Sequence, residues 1–213
     1  MSGSPSANVY IQPSGEVSLV CTHDQMFSPP YCFVGASFPQ SSVPYPALRG
    51  ASLAIGAACA KQGIVGYVGI DFVALQSEEG LKLLAVDLNI RYTDTLAAFH
   101  MFHFLMGGVY DQGSSGKYYV DKRPGVVLTG LSPEELANPA ANNLTSRYYV
   151  TSQYVRHPNL STIQYSNFFN LCRMKGVSFD LQVPNPPPPC CLCSAGPAPK
   201  SSLGWPGSLC SLV

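Results

Sequence analysis

Two apolar segments in the first half of the chain, GYVGIDFVALQS and LKLLAVDLNIRY, each carry one aspartate, Asp71 and Asp87. Asn89 and Arg91 follow Asp87 at alternate positions. Carboxylate and amide oxygens are the ligands that hard divalent cations prefer, and a guanidinium pairs well with phosphate or carboxylate oxygens. The types and spacing of these four residues therefore predict a magnesium site, with Arg91 beside it to meet an anion.

These residues come together only if the two segments pair as a β-hairpin. The linker EEG fits a three-residue hairpin loop with Gly80 in the left-handed conformation. Because side chains alternate along a strand, placing Ser77 opposite Leu81 predicts one face with three opposed pairs: Asp71–Asp87, Gly69–Asn89 and Tyr67–Arg91. The same register directs another set of side chains toward a core: Phe72, Leu84, Val86 and Leu88.

The sequence leaves two interpretations of the acid pair open. Like charges directly opposite each other repel, and a cation between them would remove that cost. In the alternative, Asp71 belongs to a local hydrogen-bond network and Asp87 is solvated at a strand edge. A register shifted by one residue would separate the two acids onto opposite faces.

The surrounding pattern predicts an α+β fold, in which an antiparallel sheet carries the hairpin at 64–91 and is backed by helices near 47–62 and 93–106. Thr93 or Asp94 would cap the second of these helices, because both residue types accept hydrogen bonds from the first-turn amides.

The chain is expected to form one partial domain over 4–182. Within it, 107–146 is rich in Gly, Pro, Asn and Ser and predicts a long surface excursion with at most a short helix near SPEELA. Strand character resumes at 147–160, and helical spacing follows at 162–176. From 183 to 213 the composition shifts to proline and cysteine without periodicity, which predicts a disordered tail.

Composition excludes some function classes. The 213 residues carry 12 basic and 12 acidic side chains, so the formal net charge is zero. Nucleic-acid binding, which needs clustered Lys and Arg, is therefore not expected. No uninterrupted apolar stretch predicts a membrane span, and the first residues lack the pattern of a secretory signal. We expect a cytoplasmic location with cysteines present as thiols.

Other residues with chemical side chains favour structural roles. Thr22, His23 and Asp24 are sequence neighbours on a predicted strand, so their side chains alternate between faces instead of converging as a catalytic triad must. His100 and His103 share a helical face, but no third ligand follows at helical spacing.

An ordered series of motifs resembles the ATP-grasp superfamily of ATP-dependent carboxylate–amine and peptide ligases. IQPSGEV, THDQ, FPQ, GIVGYVGIDFV and an acid-x-Asn-x-Arg strand occur in that order over roughly residues 4–106. Within the superfamily, ASFPQSS, AVDLNIRYTDTLAAF and HPNLSTIQYSNFFNLCRMKGVSFD are similar to the ATP-grasp-like region of the family of IQ-motif-containing protein H.

This resemblance implies Asp71, Asp87 and Asn89 as magnesium ligands, with Arg91 beside the phosphates of ATP. It also implies an association with sperm or testis, and calmodulin as a partner that binds through an IQ segment elsewhere. The helix RGASLAIGAACAKQG lacks the leading Ile-Gln and the basic spacing of such a segment, so we expect none within this chain.

Two departures from the ligase pattern bear on catalysis. Active ligases usually have the longer Glu at the position of Asp87, and YTDTLA replaces the Gly-Gly-Thr-Thr-His run of peptide-ligase relatives. The half of the clamp that supplies the adenine pocket, a phosphate-binding Lys and a glycine-rich lid would have to precede these residues. We therefore expect a non-catalytic binding or regulatory element; the alternative is a fragment of an ATP-dependent carboxylate–amine ligase that uses magnesium and ATP.

Overall fold

The computed structural model describes residues 3–28, 30–78 and 80–152, together with isolated positions and two short strands further along. The elements are, in chain order, β1 (Pro5–Ile11), β2 (Val17–Phe27), β3 (Phe33–Phe38), α1 (Tyr45–Lys61), β4 (Gly66–Ser77), β5 (Gly80–Asn89), α2 (Asp94–Met106), β6 (Val109–Tyr110), β7 (Tyr118–Asp121), α3 (Pro133–Ala137), β8 (Leu144–Arg147), β9 (Tyr149–Ser152), β10 (Val177–Phe179) and β11 (Leu192–Ser194). The predicted α+β class is confirmed.

The main sheet has six strands in the order β5-β4-β1-β2-β3-β9, and every neighbouring pair is antiparallel. Its centre is an N-terminal hairpin of β1 and β2. The tight turn between them is closed by a hydrogen bond from the Gln12 amide to the Glu16 carbonyl (2.8 Å) and uses Gly15 at a φ of 86°.

Helix α1 packs on one face of this sheet. Its buried side consists of Tyr45, Leu48, Ser52, Gly56 and Cys59, at the spacing of three and four residues that one helical face requires. Gly56 allows close approach, since a Cβ there would lie 2.6 Å from Cγ1 of Val17. The predicted helix at 47–62 thus forms with nearly the predicted bounds.

Helix α2 packs on the opposite face. Asn8 and Val9 are adjacent in β1 and point to opposite sides; Val9 lies toward α1, whereas the Asn8 amide donates a hydrogen bond to Thr95 of α2 (3.2 Å). Thr93 caps α2 by accepting from the Leu96 amide (3.2 Å), and Gly107 ends it in the left-handed conformation with a φ of 57°. Of the two predicted caps, Thr93 is therefore the one used.

The predicted inward set on the hairpin is only partly right. Phe72 is buried, but Leu84, Val86 and Leu88 are 49%, 60% and 45% exposed. The expectation is wrong for these three because β5 is the outermost strand of the sheet. In addition, Leu84 pairs with Val73, whose side chain points to the face of the sheet opposite that of Phe72.

The segment 107–146, predicted to be a long surface excursion, contains strands and buried residues at its two ends, whereas none of residues 122–143 is buried. Strands β6, β7 and β8 form a second antiparallel sheet, and Tyr118 is fully buried. The reason is aromatic packing around Phe38, whose ring contacts six others: His23, Phe99, Phe102, Tyr110, Tyr118 and Tyr149. The short helix near SPEELA does form, as α3, with Ser132 and Glu135 in a capping box.

Some predictions fall largely outside the described residues. The helical spacing at 162–176 and most of the tail at 183–213 lie there. Within the second stretch the described backbone includes β11, which pairs antiparallel with β10, so residues 192–194 form a strand where the prolines favoured none. Among the described residues no helix is long and apolar enough to span a membrane.

Candidate metal centre

The two acids of the hairpin face each other across β4 and β5. Asp71 pairs with Asp87, and Gly69 pairs with Asn89, so these parts of the predicted register are confirmed. On its other side β4 pairs with β1, where Gly69 lies opposite Asn8. Because Asn8 points toward α2, the acid pair lies on the α2 face of the sheet.

The register differs from the prediction at both ends of the hairpin. Ser77 pairs with Gly80, not with Leu81, and the register then shifts by one residue between Asp71 and Phe72. This β-bulge adds a residue to β5 and restores the predicted pairing at the acids. Without the bulge the observed loop would have placed Asp71 opposite Val86.

Arg91 does not lie opposite Tyr67 as predicted. Strand β5 ends at Asn89, and Tyr67 pairs with Tyr10 of β1. A turn follows β5, in which the Arg91 amide donates to the Asn89 carbonyl (2.8 Å). The turn brings the Arg91 side chain back toward Asn89, where a continued strand would have extended it away.

The Asn89 side chain connects the other three predicted site residues. Its Nδ2 donates to Oδ2 of Asp87 (3.0 Å) and to Oδ2 of Asp71 (3.3 Å). Its Oδ1 accepts from Nη2 of Arg91 (3.1 Å), and Nη1 of Arg91 makes a longer contact with the Tyr92 carbonyl (3.4 Å). The structure therefore brings Asp71, Asp87, Asn89 and Arg91 into one hydrogen-bonded cluster.

The charges of this cluster do not balance. Two carboxylates share the neighbourhood of one guanidinium, and the partial positive charge of the Asn89 amide hydrogens offsets only part of their repulsion. Asp87 and Arg91 are exposed, whereas Asp71 and Asn89 are half-buried, so a hydrated ion has access from one side. The donor set fits magnesium in chemistry, because it consists of two carboxylates and an amide group, although the amide oxygen faces Arg91 in this orientation of the side chain.

Histidine, cysteine and a third acid do not contribute to this set. Throughout the described ranges, no group of three or more His, Cys, Asp or Glu side chains is arranged to hold a metal ion. The acid pair with its amide thus differs from closed structural metal centres, and water would have to complete the coordination of magnesium, as it commonly does.

Residues outside the predicted set position the turn after β5. The Thr93 hydroxyl donates to Oδ1 of the fully buried Asn8 (2.7 Å) while it caps α2. Its methyl group fills the space above Gly69, where a Cβ would lie 2.7 Å away. A glycine inside a strand indicates a close approach of this kind, so Gly69 could have predicted it. The sequence does not show that Thr93 hydrogen-bonds Asn8.

The Thr22–His23–Asp24 run is structural, in line with its predicted role. Thr22 hydrogen-bonds the Tyr110 hydroxyl (2.9 Å), and Nε2 of His23 hydrogen-bonds the Tyr149 hydroxyl (2.6 Å). Nδ1 of His23 is buried with no hydrogen-bond partner, and burial lowers the pKa of this histidine to about 3. Asp24 instead accepts hydrogen bonds from the backbone amides of Ser41 (2.7 Å) and Ser42 (3.1 Å).

The two histidines of α2 each bond a tyrosine. Nδ1 of His103 lies 3.0 Å from the Tyr118 hydroxyl, and Nδ1 of His100 lies 2.5 Å from the Tyr92 hydroxyl. Burial lowers the pKa of His100, and the neighbouring His103 adds to that effect. These contacts favour packing roles over metal ligation for both rings.

Comparison with known proteins agrees with this geometry. A family described as IQCH-like, ATP-grasp matches residues 4–113. IQ motif-containing protein H from Danio rerio is 25% identical over 180 residues, which cover 83% of this chain. The chain spans only 15% of the length of that relative.

Solved structures share the fold. N5-carboxyaminoimidazole synthetase from Staphylococcus aureus, complexed with ADP, aligns with 92% of this chain and 46% of its own, at a TM-score of 0.51 and 10% identity. The phosphoribosylaminoimidazole carboxylase ATPase subunit from Aquifex aeolicus aligns with 93% of this chain and 52% of its own, at a TM-score of 0.50 and 11% identity. At such identities the likeness establishes an ATP-grasp fold and leaves the chemistry to the site itself.

Proposed function

Because the chain belongs to the IQCH-like ATP-grasp family, we propose that it is a non-catalytic binding or regulatory module for magnesium and a phosphate-bearing ligand such as ATP. In this proposal Asp71, Asp87 and Asn89 hold the ion. Arg91 pairs with a phosphate oxygen.

One observation carries the proposal: Asp71 and Asp87 are opposed across two strands, Asn89 hydrogen-bonds both of them, and Arg91 hydrogen-bonds Asn89 in turn. A sheet that gathers two carboxylates and an amide around one point offers the oxygen ligands that magnesium prefers. The guanidinium beside them supplies the fork of donors that suits a phosphate group.

Two features support the proposal that the module has no catalytic activity of its own. Aspartate at 87 is one methylene shorter than the glutamate that active ligases usually have there, and it is less able to bridge two ions. YTDTLA after Arg91 begins α2, so these residues are committed to a helix and its cap and not to a substrate loop.

The alternative function is a part of an ATP-dependent carboxylate–amine ligase. The support for it is that the Staphylococcus aureus synthetase with this fold is described as complexed with ADP, and that the chain aligns with only about half of it. A second half from the same or another polypeptide would complete the clamp in that case.

Partners are proposed for the longer type of protein that the Danio rerio relative represents. The name of that relative states that it contains an IQ motif. We propose that calmodulin binds this motif, outside the region that aligns here. A cytoplasmic location and a role in sperm or testis are parts of the same proposal.

Isothermal titration separates these functions. We expect saturable magnesium binding by the wild-type chain, weakened about tenfold or more (~1.4 kcal/mol) in Asp87→Ala and unchanged in Glu78→Ala, which removes an acid from the same hairpin. Absence of magnesium binding, or equal affinity in all three proteins, would refute the proposed site. Release of ADP from magnesium-ATP by the wild-type chain, lost in Asp87→Ala, would favour the ligase alternative.

A further inference from the structure

We infer that the Asn89 side chain couples the two halves of this site: binding of a divalent cation between Asp71 and Asp87 turns the Asn89 amide over and releases Arg91 to bind an anion. This inference rests on the proposed magnesium site and concerns how that site is regulated.

The observed orientation of the amide follows from its neighbours. On one side Nδ2 faces two carboxylate oxygens, at 3.0 and 3.3 Å, and on the other Oδ1 faces a guanidinium nitrogen at 3.1 Å. The reverse orientation would place an acceptor against two acceptors and donors against a donor. In the absence of a cation only the observed orientation satisfies every group.

A divalent cation reverses that preference. An amide nitrogen does not bind magnesium, whereas an amide oxygen does. For Asn89 to serve as a ligand beside Asp71 and Asp87, Oδ1 must point where Nδ2 now lies. The NH2 group then points toward Arg91, and two donors cannot hydrogen-bond each other.

Arg91 is consequently freed when the cation binds. Its Nη2 loses the Asn89 acceptor, and the contact that the structure gives its Nη1 is the longer one to the Tyr92 carbonyl, at 3.4 Å. The side chain is exposed, so an oxyanion from solvent can replace Asn89. Because such coupling is reciprocal, an anion on Arg91 also favours the cation-binding orientation of Asn89, by a factor on the order of ten.

Magnesium alone, without any anion, tests this coupling in the full chain. NMR of the wild type should show magnesium-dependent shifts of the Asp71 and Asp87 carboxyl carbons, a shift of the Asn89 NH2 signals, and faster hydrogen exchange at the Arg91 guanidinium. Arg91→Lys keeps the charge and removes the guanidinium fork, so it should bind magnesium several-fold more tightly than the wild type.

The outcomes distinguish a failure of the proposed magnesium site from a failure of the coupling through Asn89. Carboxyl carbons that do not respond to magnesium would refute the proposed site itself. Carboxyl carbons that respond, with Asn89 and Arg91 signals unchanged and Arg91→Lys equal to the wild type in affinity, would overturn the coupling and leave the site standing. A response of all three kinds of signal, together with tighter binding by Arg91→Lys, is the result expected.

Discussion

Asp71 and Asp87 oppose each other across two strands, and a folded chain keeps such a pair at some cost in stability. Directly opposed like charges are destabilising on the scale of a cross-strand pair, about 0.2–1 kcal/mol. Asn89 reduces this cost by donating to both acids. The proposed cation site would account for the pair, because the same repulsion strengthens the attraction for a cation.

Asp87→Asn should therefore stabilise the chain when magnesium is absent. Magnesium should stabilise the wild-type chain but not the substituted one. In chelator we expect a gain of about 0.5 kcal/mol in the free energy of unfolding, since one of two repelling charges is removed. Urea unfolding with and without magnesium measures both effects, and Glu78→Gln serves as the control that changes neither. A loss of stability for Asp87→Asn in chelator would mean that the acid pair is structural.

His23, which is not part of the proposed site, has a lowered pKa that should be visible in the pH dependence of stability. Burial lowers its pKa from 6.5 to about 3, so the folded chain holds it neutral while the unfolded chain protonates it below 6.5. Its contribution to stability is full above pH 6.5 and is lost as the pH falls toward 3, with a slope of at most ~1.4 kcal/mol per pH unit.

Replacing this ring should flatten the pH dependence of stability. His23→Gln keeps a polar group near the Tyr149 hydroxyl but does not titrate, so its free energy of unfolding should fall less between pH 6.5 and 4.5 than that of the wild type. His100→Gln, on the more open side of α2, should retain most of the wild-type slope. Equal slopes for His23→Gln and the wild type would contradict the buried, neutral state of His23.

At the scale of elements, the hairpin shows what sequence can predict and what it cannot. Alternation of side chains and a short linker predicted Asp71 opposite Asp87, and the structure has that pair. The loop was predicted one residue too long, and this error moved Leu84 to the other face of the sheet. The β-bulge compensated for the error only at the acids. A bulge depends on how a strand packs against its neighbours, and alternation of residue types does not record it.

The turn after β5 was missed for a related reason. Arg91 was predicted to continue the strand. The strand instead ends before it, because Thr93 caps α2 and donates a hydrogen bond to the buried Asn8. That contact joins residues 85 positions apart, which local patterns do not register. Sequence therefore identified the members of the hydrogen-bonded cluster, and long-range contacts decided how they meet.

Helix α1 offers a test of the packing between an element and the sheet. Gly50→Ala should stabilise the chain by about 0.5–1 kcal/mol, because a Cβ at 50 meets nothing within 4 Å and alanine favours helix. Gly56→Ala should destabilise it by about 1–2 kcal/mol, because its Cβ would lie 2.6 Å from Cγ1 of Val17 and force the helix off the sheet. Urea unfolding compares the two, and stabilisation by both substitutions would refute the close approach of α1.

At the scale of the whole molecule, the six-stranded sheet has α1 on one face and α2 on the other, and the proposed site lies at its β5 edge. Composition could not reveal the second sheet of β6, β7 and β8, because its strands are two to four residues long and their burial depends on rings gathered around Phe38. The exposed edge places the acid pair where the rest of a nucleotide clamp, if present in a longer protein, would have access to it.

Paramagnetic Mn²⁺, which shares the oxygen-ligand preference of magnesium, tests the central claim most directly. Titrated into the chain, it should broaden first the backbone amide signals of Asp71, Asp87 and Asn89, and excess magnesium should reverse the broadening. The same titration of Asp87→Asn should leave these signals sharp. Broadening centred on other acids, such as Asp121 or Glu134, or no selective broadening at all, would contradict a cation site on this hairpin.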